Sequence, residues 1–321
     1  MLLIAGDIGG TKTLLSLFET SSKGFKTLYA HRFASGDFPS FDAVVSEFIS
    51  EVGTYDIEAL CLGIAGPVNK NGDHYTAQAT NLPWELDSHK LSTATGIKKI
   101  ALINDFAAMG YGVTVMEEQD LITLQDGENH EDGHRMVLGA GTGLGVAQLI
   151  SLNNQYHVVA SEGGHSNFAP FDKDTAALSE YYIERNGYCS IEQVLSGPGI
   201  THIFQFVCDA TDTQTSLPSD ADAAAIATAE SDTAASKTMQ IFTSIYGSVA
   251  GNLALTNLAF GGVYLTGGVA AKNSQLLQSK TFIEAFQAKG KMSRLMPKFP
   301  VHIVTNEQCG LLGAAVAASR L

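Results

Sequence analysis

The chain has 321 residues, 45% hydrophobic and 16% charged, with a formal net charge of −14. That composition builds a large apolar core and excludes a disordered chain, and the acidic balance speaks against nucleic acid or an anionic membrane as a general partner. No apolar run reaches the ~20 residues of a membrane span, and residues 2–5 are too short for a signal-peptide core. The four cysteines, Cys61, Cys189, Cys208 and Cys309, are scattered without C-x-x-C, so reduced thiols in a cytoplasmic protein are expected, with neither zinc site nor disulfide framework.

Taken in order, the chain begins with a hairpin. Residues 2–5 and 14–18 are apolar runs joined by Gly6-Asp7-Ile8-Gly9-Gly10-Thr11-Lys12-Thr13. Residues 40–52 have helical spacing in Phe41, Val44, Val45, Phe48 and Ile49, with Ser40 as N-cap. Two short apolar runs, 59–64 and 99–103, read as strands. The first ends in Ala65-Gly66-Pro67 and the second in Asn104-Asp105. Ligands of open α/β sheets bind at the carboxyl ends of strands, which makes Gly66 and Asp105 candidate site positions.

A second strand-rich segment opens near Met136. Its turn, Gly139-Ala140-Gly141-Thr142-Gly143-Leu144-Gly145, again joins two apolar runs. Residues 172–184 and 191–194 read as helices. Residues 209–237, rich in Asp, Ala, Ser and Thr, read as loop and then helix, with Pro218-Ser219-Asp220 as the start. Apolar residues at helical spacing predict a long buried helix over 235–258. A strand between Gly261-Gly262 and Gly267-Gly268, a last strand over 301–304 and an alanine-rich helix over 310–321 complete the chain. Strand, Gly/Thr turn, strand recurs at residues 4 and 137, which hints at a duplicated fold.

The glycine turns carry the chemical information. Such a turn lets backbone amides approach a phosphate with no side chain in the way. Neither turn fits the alternatives. The register for G-x-G-x-x-G fails from Gly139 and again from Gly141, and the single Gly-Lys, Gly290-Lys291, is followed by Met292, which excludes a Walker A loop. Ordinary hairpins, with glycines supplying positive φ, are the bland reading. Two turns suggest two lobes gripping one polyphosphate, a phosphotransferase arrangement.

Individual side chains read less clearly. Asp105 is a general base or only part of a turn or helix cap. Asp7 beside a phosphate turn makes sense with Mg²⁺ between them, through water, or else as an Asx turn. Lys12 adds charge to the turn or faces solvent. His165 alone reads as structural, Glu192 alone as a solvated helix residue, and Trp84 as core or rim.

Three more stretches bear on these alternatives: Leu102-Ile103-Asn104-Asp105-Phe106, Glu162-Gly163-Gly164-His165 and Glu192-Gln193-Val194-Leu195-Ser196-Gly197-Pro198-Gly199. With residues 139–145 and 265–268 they resemble, in order from Asp7 to Gly313, the bacterial glucokinases, ATP-dependent hexose kinases of the actin/hexokinase/Hsp70-like superfamily. One departure is Lys12-Thr13 after Gly-Gly-Thr, where these kinases often have Asn-Ala-Arg. The related ROK kinases and regulators share it, but their zinc-binding cysteine cluster and N-terminal helix-turn-helix are absent here.

The resemblance implies a two-lobed α/β fold, actin-like and ribonuclease H-like, with duplicated mixed-sheet domains and a cleft between them. The small lobe would be 1–110 with the terminal helix, about 305–321, packing back on it, and the large lobe 111–304. It implies phosphoryl transfer from ATP to the 6-hydroxyl of glucose, with Asp105 as base. Asn104, Asp105, Glu162, His165 and Glu192 would bind glucose, with Asn81 near the sugar. Asp7, Gly9, Gly10, Thr11, Lys12, Gly141, Thr142, Gly143, Gly267 and Gly268 would bind ATP, the last pair at the adenosine. Asp7 would hold Mg²⁺ through water, and relatives are commonly homodimers. A kinase for another hexose, a catalytically idle sugar sensor and an actin-like filament protein are the alternatives.

Overall fold

A computed structural model describes every residue except Lys23, Thr54, Asn81 and Asn129. Asn81, expected near the sugar, thus lies outside the described residues. The chain forms two compact units, Met1–Glu117 with Asn306–Leu321, and Glu118–Thr305.

The first unit contains β1 (Leu2–Ile8), β2 (Lys12–Ser21), β3 (Gly24–Ala34), α1 (Phe41–Val52), β4 (Ala59–Ile64), β5 (Val68–Asn71), β6 (His74–Gln78), β7 (Glu85–Asp87), α2 (Ser88–Thr95), β8 (Lys99–Asn104) and α3 (Asp105–Val113). Its main sheet has the order β3-β2-β1-β4-β8, and β5-β6-β7 form a small antiparallel sheet. Strand β1 runs antiparallel to β2 and parallel to β4, which is parallel to β8. The carboxyl ends of β1, β4 and β8 therefore lie side by side, with Ile8 opposite Ile64 and Ile64 opposite Asn104.

Alternation along β1 sends successive side chains to opposite faces. Ile4 and Ile8 join Phe41, Phe48, Leu60, Leu62 and Trp84 in one buried cluster. Leu3 and Ala5 join Cys61, Leu311, Ala314 and Ala318 in the other. Trp84 is core: its indole Nε1 donates to the Phe38 carbonyl at 3.1 Å, and only 1% of the residue is exposed.

The second unit holds β9 (Leu121–Gln125), β10 (Arg135–Ala140), β11 (Leu144–Leu152), β12 (Gln155–Ser161), α4 (Lys173–Asn186), α5 (Ile191–Val194), α6 (Gly197–Thr211), α7 (Ala223–Thr228), α8 (Thr233–Asn257), β13 (Val263–Thr266), α9 (Gly267–Lys272), α10 (Ser274–Leu277), α11 (Lys280–Gln287) and β14 (Val301–Val304). The sheet order is β12-β11-β10-β13-β14-β9. A meander β10-β11-β12, then β13 and β14 parallel to β10, repeats the arrangement of β1-β2-β3, β4 and β8. The repeat hinted at by the two glycine turns is therefore a repeat of whole sheets, with β9 added at one edge.

The structure differs locally from the sequence reading at four places. Ser40 flanks α1 in an extended conformation but makes no side-chain cap hydrogen bond. Helix α6, absent from the sequence reading, runs to Thr211, so the segment read as starting a loop at Asp209 is still helical. Helix α7 begins after Asp222, whose carboxylate accepts from the Ala225 amide at 2.7 Å, and not at Pro218-Ser219-Asp220. None of Gly9, Gly10, Gly141 or Gly143 has positive φ, so the turn glycines are not there for left-handed backbone. Among the described residues no helix is long and apolar enough to cross a membrane.

The terminal helix α12 (Cys309–Ala318) belongs to the first unit, where it lies against α3 and β1. Contact with α3 is backbone to backbone. A Cβ on Gly112 would stand 1.9 Å from the Cys309 carbonyl oxygen, and one on Gly313 would stand 1.7 Å from that of Ala108.

Candidate active site

In the first unit, Asp7 is the penultimate residue of β1 and Asp105 opens α3 at the end of β8. Asn104 is the N-cap of α3. Its Oδ1 accepts from the amides of Phe106 at 2.9 Å and Ala107 at 3.2 Å, and its Nδ2 donates to the Gly66 carbonyl at 3.3 Å. The capping interpretation thus holds for Asn104 itself, and the cap fixes the helix start on which Asp105 sits. The Asp105 Oδ1 accepts from the Phe106 amide at 2.9 Å. A Cβ on Gly63 would meet Ala108 Cβ at 3.1 Å and Asp105 Cα at 3.9 Å, so glycine on β4 lets α3 begin directly over the strand.

Asp7 and Asp105 are electrostatic neighbours. The Asp7 carboxyl is reachable by solvent yet crowded by protein atoms. That desolvation, with the charge of Asp105 second, pushes its pKa up. Two adjoining carboxylates beside a glycine turn form a hard oxygen donor set, which suits Mg²⁺.

The first turn is locked from behind. Gly9 donates its amide to the Lys12 carbonyl at 3.0 Å, and the Ser35 hydroxyl donates to the Gly9 carbonyl at 2.9 Å. The Ser35 amide donates to Thr11 at 3.1 Å, and its hydroxyl also pairs with that of Thr13 at 3.0 Å. Ser35 was not apparent from sequence, because its only local signal is a serine after a strand. Thr11 and the side chain of Lys12 are exposed.

In the second unit Glu162, His165 and Glu192 converge. The His165 ring places Nε2 3.8 Å from Glu162 Oε2 and Nδ1 3.7 Å from Glu192 Oε1. Gly163–His165 form a 3₁₀ turn, which brings the first two residues to one side. Helix α5 delivers Glu192 from its first turn, under a capping box of Ser190 and Gln193. Oε2 of Glu192 accepts the Leu144 amide at 2.7 Å, and a Cβ on Gly143 would stand 2.6 Å from that same oxygen. Glycine at 143 therefore makes room for Glu192. The turn is closed by Gly141 N–H to the Gly143 carbonyl at 2.8 Å and anchored by Gly197 N–H to the Gly141 carbonyl at 2.7 Å.

Beside this turn lies a cavity of about 1120 Å³. Gly141, Thr142, Gly197, Pro198 and Gly268 form its polar end, and Ile200, Ala223, Ala227, Val269 and Leu276 its apolar wall. Its size is that of a pocket for a nucleotide-sized ligand. The start of α6 is fixed beside the turn: Ser196 Oγ accepts the Gly199 amide at 3.0 Å, and Pro198 in the first turn has no N–H to satisfy. Gly268 lines the cavity, whereas Gly267 has φ +84° and packs against the Ala140 carbonyl, 2.6 Å from where a Cβ would be. The wall residues of α7 and α10 carried no sequence signal, being alanines and a leucine.

Duplicated sheets, each with a glycine turn between its first two strands and acidic groups at strand ends, define a phosphotransferase of the actin-like ATPase fold. The glucokinase family model matches residues 4–321. A glucokinase of Nostoc punctiforme is 41% identical over 343 residues, covering 100% of this chain and 99% of that one. A glucokinase crystal structure from an Antarctic psychrotroph superposes with a TM-score of 0.90 at 29% identity, covering 100% of this chain and 99% of that one. A ROK family glucokinase from Streptomyces griseus, solved with glucose and AMPPNP, shares the fold with a TM-score of 0.64 at 21% identity over the whole of both chains. The chain belongs to the glucokinase family.

Proposed function

We propose that the protein transfers the γ-phosphoryl group of ATP to the 6-hydroxyl of glucose, with Asp105 as general base. A glucose kinase dependent on ATP is what the glucokinase relatives support. The single observation that carries the mechanistic reading is the placement of Asp105. It is a carboxylate at the carboxyl end of β8, on a capped helix start, oriented by the Phe106 amide.

Phosphoryl transfer asks the protein mainly for alignment and charge stabilisation. Asp105 accepts the hydrogen bond of the attacking hydroxyl and takes its proton as the new P–O bond forms. Glu162, Glu192 and His165 offer acceptors and a donor to the other hydroxyls, each of which costs ~1–3 kcal/mol if buried unpaired. Asn104 acts chiefly by capping α3. Turn amides at Gly10, Thr11, Thr142 and Gly143 hold the phosphates, while those of Gly9 and Gly141 close the turns, and the apolar wall of the cavity takes the base of the nucleotide. Asp7, with the neighbouring Asp105 charge, fits Mg²⁺ bound through water, which would neutralise phosphate charge.

The test is a coupled assay with ATP and Mg²⁺ against a panel of hexoses. Selective activity on glucose supports the reading. Selectivity for another hexose replaces the substrate, and saturable sugar binding without turnover on any hexose contradicts the enzyme.

A further inference from the structure

Outside the proposed active site, one trio of side chains has the composition of a transition-metal site. His74 on β6, Asp87 at the end of β7 and His89 in the first turn of α2 each bring one ligand atom within 4.8 Å of the others. The two imidazoles stack, with ring centroids 4.1 Å apart and planes 9° from parallel. Asp87 caps α2 through Oδ1, which accepts the amides of His89 at 2.8 Å and Lys90 at 3.1 Å. Its other oxygen, Oδ2, faces His74 Nε2 at 3.1 Å.

Nε2 of His74 is buried, and although Asp87 Oδ2 lies beside it the two are not aligned as a hydrogen bond. A buried imidazole nitrogen that faces a carboxylate oxygen in this way is the arrangement of two ligands of one ion. The contrast with His31 is direct, since its Nδ1 makes a 2.7 Å hydrogen bond to Glu51 Oε2. Stacking on His89 gives His74 no hydrogen bond and brings a second imidazole to the same cluster.

We propose that His74, Asp87 and His89 form a binding site for a divalent transition ion of the Zn²⁺ class, with water completing the coordination. Two imidazoles and one carboxylate suit Zn²⁺, Ni²⁺ or Cu²⁺ and disfavour Mg²⁺, which takes oxygen ligands. Ligand atoms around a tetrahedral Zn²⁺ lie roughly 3.3 Å apart, from bonds of about 2.0–2.2 Å. The trio is looser than that, and the exposed His89 ring is the member with room to turn. The capped Asp87 is already oriented, its Oδ1 held by two amides.

The ion would staple β6 to the β7–α2 junction, at the base of the hairpin whose connecting segment contains Thr80. The Thr80 hydroxyl donates to the Ala65 carbonyl at 2.7 Å, and the adjacent Gly66 carbonyl accepts from Asn104. The staple therefore acts on the segment that backs the cap of α3.

The test is calorimetric titration of ZnCl₂ into the chelator-treated full chain with MgCl₂ present, alongside His89→Ala and His165→Ala. Wild type should bind one Zn²⁺ with a Kd of about 10 µM or tighter and gain a few degrees in Tm. His89→Ala should lose at least about tenfold in affinity, keep its Tm and kinase activity in chelator, and His165→Ala should bind Zn²⁺ as wild type does. Equal affinity in His89→Ala, loss of binding in His165→Ala, or no wild-type binding would overturn the proposal.

Discussion

Glu192 Oε2 accepts the backbone amide of Leu144 at 2.7 Å, so one carboxylate on α5 also fixes the glycine turn between β10 and β11. The two functions should separate by substitution. Gln at 192 retains an acceptor for Leu144 and loses charge, so Glu192→Gln should raise the glucose KM and leave the ATP KM nearly unchanged. Glu192→Ala removes the acceptor too and should raise both, by roughly tenfold for a hydrogen bond of ~1–3 kcal/mol. Steady-state kinetics with each substrate varied would check this. Equal ATP KM values in the two variants would show that the Leu144 contact does not shape the nucleotide site.

Gly141 and Gly143 look alike in sequence and differ in space. A Cβ on Gly141 meets nothing within 4 Å, whereas one on Gly143 meets Glu192 Oε2 at 2.6 Å. Gly143→Ala should therefore displace Glu192 and impair glucose as well as ATP. Gly141→Val should keep the wild-type Tm, spare glucose affinity and weaken ATP, because its side chain enters the cavity lined by Gly141 and Gly268. Titration of each ligand into each variant distinguishes the two.

The contact between α3 and α12 permits no added atom. Gly313→Ala would place its Cβ against the Ala108 carbonyl, and backbone cannot rotate away as a side chain can. Overpacking of this kind costs roughly 1–3 kcal/mol or more. The variant should lower Tm by several degrees and also reduce kcat, since α3 carries Asp105. A stable variant with full activity would show that α12 gives way without moving α3.

Asp7 should cost stability at neutral pH. Its pKa is raised in the folded state above 3.8, by burial and then by Asp105. Between 3.8 and the raised value the folded protein binds the extra proton, so stability falls as pH rises through that window. Asp7→Asn removes the charge and should raise Tm at pH 7, with the gain shrinking as the pH falls through the raised value toward 3.8, while ATP-dependent turnover drops. Thermal unfolding of both proteins across that range would check it. A lower Tm for Asp7→Asn at pH 7 would contradict the sign.

Local chemistry in the sequence revealed much of this architecture. Short apolar runs ending in glycine, proline or Asn-Asp exposed β1, β4, β8 and β13, and helical spacing exposed α1 and α8, because those elements bury one face or all of themselves. The converging trio Glu162, His165 and Glu192 became readable only through the family resemblance. The 3₁₀ turn and the capping box that aim these residues are three-dimensional outcomes of short polar stretches. Ser35 and the alanine wall of the cavity left no distinct signature, and a cap at Asn104-Asp105 is legible only as one of two readings. Each depends on which strand end or helix start the residue meets, and periodicity does not encode that.

The most direct measurement is kcat for Asp105→Asn with saturating glucose and ATP. The substitution keeps the shape of the side chain and an acceptor for Phe106 while removing the base. A fall in kcat of roughly 10²–10⁴-fold, with glucose binding still detectable by titration, is the result the general-base account predicts. A kcat within a few-fold of wild type would contradict it and place proton removal on another group.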